Sequence, residues 1–156
     1  MTMNSIALLQ TLLQRAEQER DTAIAMLRQA EQMVERAEAQ ARQLHAYRSE
    51  YDARWTERFR QSGTPELLQC HRGFGDRLDQ AIRYQQNDAQ NLGNRVQQAR
   101  AVLLAREQRV AAVRKLIERR QTELTRIAER RDQRATDESA QRAALSRPHP
   151  LALLSS

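Results

Sequence analysis

Ser62-Gly63-Thr64-Pro65-Glu66 is a stop signal followed at once by a start signal. Glycine adopts the left-handed conformation that ends a helix without a steric cost, and Gly63 is expected to do so. The Thr64 hydroxyl is placed to accept a hydrogen bond from a free N–H in the first turn of a following helix. Pro65 falls on the first helical position, where its missing N–H removes nothing. Glu66 brings negative charge to the positive end of the helix dipole. Residues in this order predict one sharp boundary between two helices.

Heptad patterns run outward from that boundary on both sides. After it, steps of four and three from Leu78 reach Ile82, Gln85, Ala89, Leu92, Val96, Ala99, Leu103, Arg106, Val110, Val113, Ile117, Arg120, Leu124 and Ile127. Twelve of these fifteen positions are apolar, a regularity that marks a coiled-coil seam. Gln85, Arg106 and Arg120 interrupt it, as polar residues that fix register do. Before the turn, Leu9, Ala16, Ala23, Ala30, Ala37, Leu44 and Tyr51 recur at intervals of seven, flanked by Leu13, Met26, Leu27, Met33, Val34, Ala41 and Tyr47. Alanine lets helices approach closely but buries little area, so this middle stretch is expected to be the weaker one. Gly73 and Gly75 each cost roughly 1 kcal/mol against alanine in a helix, which predicts a frayed or kinked segment over 69–76.

The fold class expected is all-α: a long two-helix antiparallel coiled coil, a helical hairpin whose second helix projects beyond the first. The reading places helices at 5–60 and 66–145, a turn at 61–65, one hairpin domain over 1–147 and a disordered tail at 148–156. At about 1.5 Å per residue the helices are roughly 80 and 110 Å long, and residue 6 falls opposite about residue 120. Such a chain has almost no interior. Its function is expected on its surface and at its ends.

Composition agrees with a long helix. Of 156 residues, 29% are charged and 4% aromatic, with only 4 Gly and 3 Pro. Mean hydropathy of −0.83 suits disorder equally, and the periodicity decides against it. Cys70 is the only cysteine, which excludes an internal disulfide and a cysteine zinc cluster. No signal peptide and no apolar run of transmembrane length is read, which makes the cytoplasm the expected compartment. The net charge of +6 is uneven. Residues 1–62 balance nine Arg against nine Asp/Glu, whereas residues 95–134 carry twelve Arg/Lys against five Asp/Glu.

His45, His71 and His149 are scattered, and no third group is placed to orient a base. No Gly-rich phosphate loop follows a strand. The reading is therefore of a protein that is not an enzyme and takes no cofactor or metal. The basic stretch 95–134 offers phosphate contacts but no aromatic for base stacking. It is read as a solvated coiled-coil face, a docking face for an acidic protein surface, or a nucleic-acid site. Tyr47, Tyr51, Trp55 and Phe59 share a face near the turn, with Phe74 and Tyr84 expected across from them. They form either a packed hairpin end or an exposed docking surface.

Three segments resemble the flagellar export FliJ family. Leu44-His45-Ala46-Tyr47-Arg48-Ser49-Glu50-Tyr51 is similar to its Leu-x-x-Tyr-x-x-Glu-Tyr segment. Phe74, Leu78, Ala81 and Ile82 resemble the segment after its turn. Asp137-Glu138-Ser139-Ala140-Gln141-Arg142-Ala143-Ala144 resembles its C-terminal signature Asp-Glu-x-Ala-Gln-Arg-Ala-Ala. They occur in the family's order, and the resemblance covers about residues 6–147.

The resemblance implies a coiled coil similar to the central stalk of rotary ATP synthases. It implies a component of the flagellar type III export apparatus, serving flagellum biogenesis, motility and chemotaxis. The implied partners are the hexameric flagellar export ATPase, the export gate protein FlhA and the flagellar export chaperones, with no nucleic acid. The chain would couple the ATPase ring to the gate and assist chaperone delivery, at the cytoplasmic face of the inner membrane beside the flagellar basal body. Gate contact is carried over to Phe74, Leu78, Ala81 and Gln85, the last standing where a His is expected. Ring contact is assigned to Arg119, Arg120, Arg126, Arg130, Arg131 and Arg134. The alternatives are a basic coiled-coil scaffold that binds nucleic acid and the stalk protein of a virulence-type type III secretion system.

Overall fold

The structure, a computed structural model, describes residues 2–147, with side-chain surroundings from residue 5 onward. The expected tail at 148–156, with His149, lies outside the described residues. Two helices make up the fold, α1 (Thr2–Gln61) and α2 (Pro65–Ser146), and no strand occurs among the described residues. They pack against each other as the helical hairpin that the heptads predict.

The turn occupies only residues 62–64. The Ser62 N–H donates to Arg58 O at 3.0 Å and closes the last turn of α1. Thr64 is the N-cap: its Oγ1 accepts from Leu67 N–H at 3.4 Å, and its carbonyl accepts from Leu68 N–H at 3.1 Å. Pro65 begins α2, and Glu66 is the acidic residue of its first turn. Gly63 differs from expectation, because no glycine among the described residues has a positive φ. Its use is space instead. A Cβ there would stand 3.3 Å from Phe59 Cδ1 and 3.4 Å from Phe59 O. The chain turns closely past Phe59, and a side chain at 63 would need that ring to give by a few tenths of an ångström.

The hairpin has two packed units, one of Arg15–Val110 and one joining the stretch up to Gln14 with the stretch from Ala111. In the larger unit, α2 turns residues 71, 75, 78, 82, 85, 89, 92, 96, 99, 103, 106 and 110 inward, alternating steps of three and four. On α1 the matching line is 16, 20, 23, 27, 30, 34, 37, 41, 44, 48, 51 and 55. The buried apolar residues of this unit are Ala16, Ala23, Ala37, Leu78, Val96 and Val110, and no buried residue is polar. Half of them are alanine, so the seam is thin, as the sequence predicts.

Polar seam residues each find a partner. Gln85 Nε2 donates to Gln40 Oε1 at 3.0 Å, and Arg106 reaches Glu19 at 3.2 Å. Arg48 is a further seam arginine. It joins Asp52 on its own helix at 2.8 Å and Asp79 on α2 at 3.1 Å. Gly75 lies directly beneath it, and a Cβ there would meet Arg48 Nη1 at 3.0 Å. This contact corrects the expected fray over 69–76, through which α2 is continuous. Gly75 is a packing residue, and the Arg48 guanidinium takes up the room its missing side chain leaves.

In the terminal unit, Arg120 Nε donates to Ser5 Oγ at 3.3 Å and Nη1 pairs with Glu123 at 3.2 Å. Val113, Ile117 and Leu124 remain half-buried along the seam. From residue 125 to 147 every residue is exposed.

Candidate functional site

Two regions carry the residues singled out from the sequence. The first is the aromatic end of the larger unit. Tyr51 and Trp55 meet edge-on at 5.9 Å between centroids, Trp55 and Phe59 at 5.6 Å, and Tyr51 and Phe74 at 4.8 Å across the hairpin. At the centre lies His71, 5.2 Å from Tyr51, 5.1 Å from Trp55 and 5.9 Å from Phe59. Its Nδ1 is buried without a hydrogen-bond partner. The imidazole acts here as a fifth ring. Loss of solvent raises the Tyr51 phenol above its ordinary value near 10, an effect the nearby Arg48 charge opposes.

Tyr47 and Tyr84 stand apart from this cluster. Tyr47 is 49% exposed and Tyr84 79% exposed. A spacing of four advances 40° beyond a full helical turn, so the line from Phe59 back to Tyr47 drifts off the seam. Tyr84 falls between the inward positions 82 and 85 and points away.

The four residues assigned to the gate separate by burial. Phe74 is 40% exposed over Tyr51, and Ala81 is exposed. Leu78 is buried in the seam, and Gln85 is half-buried against Gln40. Phe74 and Ala81 lie seven residues apart on one outward line. Leu78 and Gln85 lie beneath them, on the inward line. The first pair is accessible at the surface and the second pair is packed in the seam.

The second region is basic. Arg119, Arg120, Arg126, Arg130, Arg131 and Arg134 are all exposed. Of these, Arg120 is tied to Glu123 and Ser5. From 125 to 146 the chain is a helix whose residues are all exposed. Ile127 (44%) and Leu145 (87%) are among its exposed apolar residues. At 3.6 residues per turn the six arginines fall within about 140° of the helix, so the positive charge is gathered on one side of it.

His45 is exposed, His71 is packed among rings, and Cys70 is exposed. Among the described residues no group of three or more His, Cys, Asp or Glu is placed to hold a metal ion. No helix among them is long and apolar enough to cross a membrane.

Sequence reasoning missed two contributors, His71 and Arg48. His71 stands seven residues before Leu78, on the same seam line, and that spacing was available to read. Arg48 gave no such signal, because a charged residue at a seam position reads as an interruption until its partner on the other helix is known.

Neither a curated protein nor a solved structure matches the chain. The family described as flagellar FliJ protein matches over residues 5–149, which takes in the turn, both seams, the aromatic end and the basic stretch. The chain therefore belongs to the flagellar FliJ family, a non-catalytic component of flagellar protein export.

Proposed function

We propose that this chain couples ATP hydrolysis by the flagellar export ATPase ring to the export gate, and assists delivery of chaperone-bound substrates. The observation that carries the reading is the basic helix from 125 to 147, exposed along its whole length within a chain of this family. A lone helix with Arg126, Arg130, Arg131 and Arg134 along one side suits docking against acidic groups of a ring. The opposing charge would guide docking, and the contact would weaken as salt rises.

Phe74 and Ala81 are the proposed gate contacts, supported from beneath by Leu78 and Gln85. The gate would be FlhA, and the place of work the cytoplasmic face of the inner membrane. Support for this surface is its exposed ring, held over Tyr51 by a tight aromatic contact. A rigid, half-exposed aromatic loses little freedom on docking.

The reading is tested by shortening the chain to end at Thr125 and measuring cosedimentation with the export ATPase hexamer. The full chain is expected to comigrate and the short one to be lost from the hexamer fraction. Equal comigration would place the ring contact elsewhere. Circular dichroism of the short chain separates loss of the contact from loss of folding, because residues 126–147 are all exposed.

A further inference from the structure

The thin seam has a side that the proposed coupling role does not use. Ala23 and Ala30 on α1 and Ala99 on α2 form the floor of a groove of about 490 Å³. Its walls include Met26, Met33 and Val102. The groove runs on past Ala23, Met26 and Val102 into a second cleft of about 330 Å³, flanked by Arg15, Glu19, Thr22 and Arg106. All of this lies within the larger packed unit.

Two features set the groove apart from an ordinary coiled-coil flank. The first is apolar area left outside the seam. Leu27, Val34, Val96 and Leu103 fill inward positions of the same stretch, yet Met26 (61%), Met33 (41%) and Val102 (48%) stand exposed beside the small Ala23, Ala30 and Ala99. Large apolar side chains gathered outside a small-residue floor offer a surface that a third helix can cover. Methionine also suits such a surface, because its unbranched side chain adapts to the partner that covers it.

The second feature is charge. Along the α1 bank, Thr22, Met26, Gln29 and Met33 are neutral. The α2 bank carries Arg95 and Arg106, with Arg109 one turn on. Arg106 and Arg109 share a single carboxylate, Glu19, at 3.2 and 3.5 Å. Among the described residues Arg95 is exposed and makes no ion pair, and Arg15 adds a further exposed charge at the Glu19 end, 3.9 Å from that same group. One bank is therefore neutral and the other has positive charge in excess of its acids.

We infer that this groove docks an amphipathic helix of another protein, with an apolar stripe that covers Met26, Met33 and Val102 and acidic residues along the flank facing Arg95 and Arg106. From Arg15 to Met33 the groove accommodates about 27 Å of helix, or roughly five turns. Apolar contacts would supply most of the affinity, and the charged bank would set the orientation of the helix and reject basic ones.

The experiment uses the full chain and two synthetic helical peptides of roughly 18 residues. They share one apolar stripe and carry Glu or Lys along the same flank. Binding is read by fluorescence anisotropy. The Glu peptide is expected to bind and the Lys peptide to bind about tenfold or more weakly. Met26→Glu is expected to weaken the Glu peptide by about tenfold or more. Arg95→Glu is expected to narrow the preference between the peptides. Leu104→Glu, at an exposed apolar residue that does not line the groove, should leave binding unchanged.

These sites are solvent-exposed, and a helical circular dichroism spectrum confirms that each variant folds. Binding of neither peptide, equal binding of both, or equal loss with Leu104→Glu would overturn the inference. Sedimentation of the chain alone across concentrations completes the test. Self-association abolished by Met26→Glu would assign the groove to a second copy and overturn it as well.

Discussion

The same pair of helices is fastened in two different ways within residues 15–110. Near the turn, Tyr51, Trp55, Phe59, His71 and Phe74 interleave at centroid distances from 4.8 to 5.9 Å. Farther along, Ala16, Ala23 and Ala37 alternate with larger residues such as Leu27 and Val34 and face Val96 and Val110, so the helices close on small aliphatic side chains. There the cross-links are ionic: Glu19 to Arg106 and Arg109, and Glu31 to Arg100. The aromatic end buries large rings and holds firmly. The alanine stretch has close approach but little buried area, and exposed ion pairs add little. Firmness near the turn suits a surface that must present Phe74 in a fixed pose. A weak seam suits a stretch that gains stability when another helix covers it.

Trp55→Ala should show the largest change. It removes the ring that touches Tyr51, Phe59 and His71, and should cost about 3 kcal/mol in urea unfolding followed by circular dichroism. A loss as small as that of an ordinary surface change would mean that the aromatic end does not anchor the hairpin.

Ala23→Leu probes the other region. Ala23 is only 5% exposed, and a larger side chain there must push the helices apart, at a cost of about 2 kcal/mol in the same assay. A stabilised variant would show that the alanine seam is loose rather than closely approached.

The two glycines at the aromatic end give the smallest effect and the finest distinction. Gly73 has nothing within 4 Å of an added Cβ, so Gly73→Ala should stabilise α2 by about 1 kcal/mol. At Gly75 the new methyl displaces the Arg48 guanidinium from its place beside Asp79, and the helix gain is largely offset. Thermal melts of the two variants should therefore differ. Equal stabilisation would show that Arg48 does not fill the space over Gly75.

Most of the hairpin was legible because heptad spacing depends only on helix geometry. Twelve apolar positions in a line of fifteen left one reading for α2, and the Thr64-Pro65 start needed no tertiary information. What failed depended on the partner helix. Gly63 looked like a left-handed stop, but the reason for glycine is the Phe59 ring folded back toward it. Gly75 looked like a weakness, yet it is the seat of an arginine that enters from α1. The candidate gate residues came from the resemblance as one cluster, whereas the heptad line already placed Leu78 and Gln85 on the seam and left Phe74 and Ala81 off it, the division that burial shows. The groove was hidden for a similar reason: Met26 and Met33 read as flanks of the seam, and only the packed helices show them standing outside an alanine floor.

Engagement of the export ATPase by the basic helix, as proposed, would be read in ATP turnover of the ATPase from the same flagellar system, with and without the chain, across a salt series. Stimulation at low ionic strength should decline steadily as salt rises, in step with loss of the chain from the hexamer. Turnover unchanged by the chain at every salt concentration, with no comigration, would contradict it.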